Sequence, residues 1–231
     1  MKRRNLMSKK DILIKDYMRE KERFADAFNY YLYNGKKVIK PEKLQIQDTT
    51  ELGVLMGEQG IVTKDRIRDV LKETLVMTDE TYLYFMLGIE NQSDVHYAMP
   101  VKTMICDALN YVSQIRAIER VHKKKKEWGS NSAEFLSGFY KNDKLKPVKT
   151  LTIYWGTDTW DGPRSLYDMF EKMEEEHYYG INDYKILLLA PNEIQDYSLF
   201  RTELGLLFKF LALANNKKTL EQVRQTRSSQ M

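Results

Sequence analysis

The sequence predicts one α/β domain built on a mixed β-sheet flanked by helices, and three stretches carry that expectation. Tyr82–Ile89 is apolar or aromatic at nearly every position, as a strand buried on both faces must be, and it stops abruptly at Glu90-Asn91-Gln92. From Pro100 onward, Val101, Met104, Ile105, Ala108, Leu109, Val112, Ile115 and Ile118 recur at i, i+3, i+4 spacing, the signature of a long amphipathic helix. The second half then alternates, with a strand over Val148–Trp155, a helix over Arg164–Glu176, a strand over Tyr184–Ala190 stopped by Pro191, and a helix over Tyr197–Leu213. Alternation of this kind layers helices on a sheet.

Within that frame each element has a local reason. Asp11–Tyr33 repeats Tyr17, Phe24, Ala27, Phe28, Tyr31 and Leu32 at helical spacing, and Asn34-Gly35 supplies the stop. Val38–Thr50 reads as an extended segment around Pro41 followed by polar linker, and Glu51–Lys64, with three glycines, as a loop. Arg66–Val76 is a second strand candidate, and Met77–Thr81 is the turn that would pair it antiparallel with Tyr82–Gln92. Met1–Lys10 reads as a basic arm and residues 215–231 as a polar tail, leaving 11–214 as the domain.

Composition bounds the function without choosing it. A chain of 231 residues with 42% hydrophobic and 30% charged content can bury one substantial core. The net charge of +4 permits nucleic-acid binding without requiring it. One cysteine, Cys106, excludes an internal disulfide and a multi-cysteine zinc site, and places the expectation in a reducing cytoplasm. The basic N-terminus has no apolar segment behind it, so it is not read as a signal peptide, and no run is long enough to span a bilayer.

The chemistry concentrates at the end of the apolar strand. Residues two apart on a strand share a face, so Glu90 and Gln92 point the same way, and hairpin pairing brings Asp69 to about the level of Glu90. Two carboxylates on neighbouring strands can hold a hard divalent cation; an ordinary polar strand end carries the same letters. The three histidines, His96, His122 and His177, lack metal-ligand spacing, and no phosphate-binding glycine loop or nucleophile elbow occurs. Cys106 lies beside the helical stripe and reads as small packing. His122-Lys123-Lys124-Lys125-Lys126 places positive charge at a helix C-terminus, where Lys123 and Lys124 are candidates for DNA phosphate contacts or a solvated helix end.

The order Asp69, Glu90-Asn91-Gln92 and long helix resembles the PD-(D/E)XK, or restriction-endonuclease-like, nucleases. More narrowly, Ile89–Gln92, His96–Val101, Phe135–Phe139, Pro147–Tyr154 and Trp160–Leu166 resemble the recombination-promoting nuclease/putative transposase family, over about Lys15 to Phe210. The resemblance implies a restriction-endonuclease-like sheet and a DNA endonuclease linked to mobile elements, recombination or defence. Asp69 and Glu90 would ligate Mg2+ (or Mn2+), and Gln92 would stand where the superfamily motif usually has lysine. Duplex DNA is the implied partner, with a homodimer possible and no organic cofactor or membrane involved. In these folds the first helix often carries an acid facing the metal; Asp26 is the candidate, or else a solvent-facing acid. Family members usually place Arg, and often Tyr one turn later, where this chain has Lys102 and Cys106. Lysine still binds phosphate as a point charge without the bidentate fork of Arg. The alternatives are a nuclease-like fold that binds DNA or regulates without cutting, and an RNA nuclease.

Overall fold

The computed structural model describes residues 9–47, 70–77 and 82–214. Helices α1 (Lys9–Arg19) and α2 (Lys21–Tyr33) open the chain, followed by a short edge strand, β1 (Gln45–Ile46). Strands β2 (Val70–Met77) and β3 (Tyr82–Gln92) lead into the 27-residue α3 (Met99–Lys125), a short α4 (Ser132–Ser137), β4 (Val148–Tyr154) and β5 (Leu187–Leu189). A last helix, α5, covers residues 204–214. The five strands lie in sequence order in one sheet, antiparallel from β1 to β3 and parallel from β3 to β5. This is an α/β fold with a mixed sheet and flanking helices, consistent with a restriction-endonuclease-like fold.

Strand β3 has the bounds expected of it and is central, with Ile89 opposite Val70 on one side and Leu151 on the other. One face of the sheet carries the main core. Leu87, Ile89, Leu151, Ile153 and Leu189 pack with Phe24, Ala27, Phe28, Phe200, Leu204 and Phe208 from the helical layer. Because α2 is enclosed by other elements, Phe24 through Asn29 are all buried. Asn29 is spent on structure: its amide donates to the Ile39 carbonyl at 2.8 Å and accepts from the Ile39 N–H at 2.7 Å, pinning the segment that returns toward β1.

The single helix expected over Asp11–Tyr33 is two helices, broken at Glu20, and it starts at Lys9, inside the expected basic arm. No helix-breaking residue marks the break. Lys72, on β2 and fully buried, donates its ammonium to the Arg19 carbonyl at 2.5 Å, so a lysine from the sheet caps the end of α1.

Helix α3 corrects the expected buried face. Met99, Pro100, Thr103, Cys106, Asp107 and Asn110 are its buried residues, while Val101, Met104 and Ile105 are half-buried and Ala108 and Val112 are exposed. The reason lies beneath the helix, where the sheet face presents Glu90, Gln92, Thr150 and Thr152, all buried polar groups. A polar stripe can satisfy them and an apolar one cannot. Thus Asp107 accepts hydrogen bonds from the Thr150 and Tyr184 hydroxyls, both at 2.5 Å. Leu109 alone of the expected central set joins an apolar cluster, with Leu71, Met86 and Val148.

The helix expected over Arg164–Glu176 does not form. That stretch holds single 3-10 turns at Tyr167–Met169 and Glu175–Tyr178. Asp168 bonds instead to the N–H groups of Arg164 and Ser165, both at 2.8 Å, a local turn competing with helix. The helix expected from Tyr197 begins only at 204, after a 3-10 turn at Tyr197–Leu199. No described helix is long and apolar enough to cross a membrane.

Candidate functional site

The end of β3 and the first turns of α3 bring the candidate residues together. Glu90 is 1% exposed, and its Oε2 lies 2.8 Å from the Lys102 Nζ, on the first turn of α3. The Cys106 thiol, one turn further, donates to Glu90 Oε1 at 3.7 Å. The chain folds this way because Gln92 ends β3, a short loop turns at Ser93–Ala98, and Pro100 starts the helix, where its missing N–H costs nothing. Gln92 is also buried and two residues along the same strand, whereas Asn91 faces the opposite layer and accepts from the Trp155 indole N–H at 2.9 Å. Alternation therefore places Glu90 and Gln92 on the α3 side, as their spacing requires.

Electrostatics explains the pairing. A carboxylate taken out of water costs several kcal/mol unless a counter-charge offsets it, and the Lys102 ammonium supplies that charge. Lys102 keeps about a fifth of its side chain exposed, so the pair opens toward solvent at its cationic end. Opposite Glu90 in the parallel ladder stands Thr152, fully buried, whose hydroxyl has no hydrogen-bond partner among the described residues. Neither Thr152 nor the role of Cys106 was legible in the sequence, since both depend on which strand and which helical face come to lie beside Glu90.

Asp69 lies outside the described residues; the described ladder between β2 and β3 ends with Val70 opposite Ile89. Asp26 is not solvent-facing. It is 4% exposed, and its carboxylate accepts from the N–H of Arg201 at 2.9 Å, the N–H of Thr202 at 2.8 Å and the Thr202 hydroxyl at 2.6 Å. It therefore fastens α2 to the start of α5. Asp26→Ala would leave those donors unsatisfied, and the expected cost is about 2 kcal/mol, readable by urea unfolding. A metal role would instead appear as lost cation affinity at unchanged stability.

Lys123 and Lys124 are exposed at the far end of α3, about 30 Å along the axis from Lys102 at 1.5 Å per residue, so they are not part of this site. Their neighbour His122 is committed to structure. Its ring nitrogens bond to Glu127 at 2.7 Å and Asp143 at 3.0 Å, it stacks on Tyr140, and the two carboxylates raise its pKa. His96 is exposed, with its Nδ1 accepting from the Ala98 N–H at 3.2 Å.

No group of three metal-ligating side chains occurs among the described residues. Magnesium asks for less: one or two carboxylates, with water or phosphate at its other positions. Glu90 and the Gln92 amide oxygen, both on the α3 face, are donors of the kind it takes. Compared with protein-family models, curated proteins and solved structures, the chain matches none.

Proposed function

We propose that this chain is a divalent-metal-dependent DNA endonuclease that hydrolyses phosphodiester bonds, as its motifs' resemblance to the recombination-promoting nucleases implies. The observation that supports this reading best is the buried Glu90–Lys102 pair at the end of the central strand, with Gln92 two residues on. Burying an ion pair is seldom repaid in stability alone, which makes a charged pair at a strand end a functional candidate.

In this proposal Glu90 would hold the cation together with Asp69, which precedes the Val70 of the ladder in sequence. When bound, magnesium would lower the pKa of a water and offset charge growing on the phosphate. The chain's own residues divide the remaining work. Gln92 carries no charge and cannot shuttle a proton, so its amide orients the attacking water by hydrogen bonds. Lys102 supplies the ammonium that Gln92 lacks, and its partly exposed end offers that charge to the scissile phosphate. Water adds to phosphorus and gives up a proton to solvent, the P–O bond to the leaving sugar oxygen breaks, and that oxygen leaves with a proton drawn from solvent.

A second reading rests on the same contact. Lys102 already engages Glu90 Oε2, which would suit a nuclease-like fold that binds DNA without cutting. Plasmid cleavage separates the two. Nicked or linear plasmid is expected with magnesium or manganese and none with chelator. Lys102→Ala should lower the rate, and Lys102→Arg should restore part of it because the charge returns. DNA binding with no cleavage under either metal would establish the second reading instead.

A further inference from the structure

A cleft of about 470 Å³ opens between the turn that ends α2 and the loop before α5, lined by Asn34, Gly35, Lys36, Ser198, Leu199, Phe200 and Arg201. It is remote from the Glu90 layer, because α2 and the 198–204 loop pack on the opposite face of the sheet, in the main core. Its walls are held rigidly. Asn34 and Gly35 both adopt left-handed backbone, at φ of 51° and 76°. A Cβ on Gly35 would come within 2.8 Å of the Leu199 carbonyl oxygen, so only glycine lets the walls approach this closely. The Arg201 Nε donates to the Gly35 carbonyl at 3.3 Å, and Asp26 grips the Arg201 and Thr202 N–H groups from behind. Phe200 stacks on Tyr30 with ring centroids 4.2 Å apart, which fixes the apolar floor.

The charged side chains that line this cleft are both cationic, and the Asp26 carboxylate behind it is taken up by the Arg201 and Thr202 N–H groups and the Thr202 hydroxyl. Among the described residues no carboxylate lines the cleft and no ion pair engages Lys36 or Arg201. The acids flanking this segment are committed elsewhere: Asp196 accepts from the Ser198 N–H at 2.8 Å and its hydroxyl at 2.6 Å, and Glu203 pairs with Arg23 at 2.6 Å. The chain leaving the cleft continues with exposed Lys37, Lys40 and Lys43, opposed only by Glu42. Lys36 and Arg201 both line the cleft, and a guanidinium and an ammonium on one cleft are the donors that take a phosphate group.

We propose that this cleft is a phosphate-binding site, formed by Lys36 and Arg201, that holds a backbone phosphate of duplex DNA away from the point of cleavage. Only the source of the phosphate rests on the nuclease reading; the recognition chemistry is the same for free inorganic phosphate. The two sources are separated by two titrations of the full-length protein in chelator, where no cutting can occur. One follows the anisotropy of a labelled duplex of about two helical turns across a salt series; the other follows inorganic phosphate by thermal shift. Wild type, Lys36→Ala/Arg201→Ala, the charge-preserving Lys36→Arg/Arg201→Lys and the remote control Lys172→Ala are compared, after their folds are matched by circular dichroism.

The double alanine variant is expected to bind duplex several-fold more weakly, and its dependence of log affinity on log salt should fall by about 1, the value for one lost phosphate contact. The charge-preserving variant should recover much of this, and Lys172→Ala should behave as wild type. Saturable phosphate binding abolished by the same two changes, with duplex binding untouched, would support the cleft but overturn DNA as its source. Duplex and phosphate binding both unchanged in the double variant would overturn the proposal. A protein that binds duplex through this cleft yet never cuts with magnesium leaves the cleft standing while the nuclease reading fails.

Discussion

Glu90→Gln is expected to lower metal-dependent cleavage by at least about a hundredfold, the scale of losing one fixed electrostatic group at a reacting centre. The change keeps the shape of the side chain and removes one negative charge, so cation affinity falls with the rate. Stability should change little, because Lys102 is partly exposed and its ammonium can turn to water. Removing the other partner acts differently. Lys102→Ala removes the counter-charge of a carboxylate that is 1% exposed, and breaking a buried pair in this way costs up to about 3–5 kcal/mol, less what the Cys106 thiol and the exposed end of the pair offset. Urea unfolding of both variants, beside plasmid cleavage, checks this asymmetry. Cleavage by Glu90→Gln at the wild-type rate would remove Glu90 from the chemistry and with it the proposed site.

Lys72→Met is expected to flatten the alkaline rise in stability of the protein. Lys72 is fully buried, with its ammonium on the Arg19 carbonyl and 4.5 Å from the centre of the Phe24 ring. Burial first, and Lys21 second, push its pKa down from 10.5 to about 8. The sign follows from proton counting. Between pH 8 and 10.5 the unfolded chain keeps the proton and the folded chain releases it, so stability rises with pH through that window. Below pH 8 the penalty is present in full, at most about 3 kcal/mol from the size of the shift. Methionine has similar length and no charge, so the variant should be more stable than wild type near pH 7, less the lost hydrogen bond to Arg19, which water can replace at that exposed residue. The measurement is the urea midpoint of both proteins from pH 7 to 10.5. Parallel curves would mean that Lys72 carries the same charge folded and unfolded.

Lys72 and Asp26 show why part of this molecule was not legible in its sequence. Both are ionisable residues in stretches whose pattern says strand and helix, and nothing local distinguishes them from solvated charges. Their roles depend on partners 53 and 175 residues away in the chain. The helix end of α1 is set by the same distant lysine, which is why Asp11–Tyr33 reads as one helix and folds as two. Helix α3 differs for a related reason. Its strongest periodicity is apolar, but the sheet beneath presents Glu90, Gln92, Thr150 and Thr152, and the helix turns its polar stripe to them.

What the sequence determined by itself was the α/β class, the bounds of the central strand, the stop at Asn34-Gly35, the start of α3 at Met99-Pro100, and the shared face of Glu90 and Gln92. These follow from short-range rules: unbroken apolar runs, left-handed stops, first-turn proline and strand alternation act within a few residues. Tertiary structure decided that Lys102 and Cys106 meet Glu90, that Thr152 stands beside it with a hydroxyl that has no partner among the described residues, that Asp26 is a fastening, and that Lys36 and Arg201 share a cleft. The physical reason is that burial and charge pairing are properties of neighbours in space, and packing a sheet between two helical layers chooses those neighbours only once the chain has closed on itself.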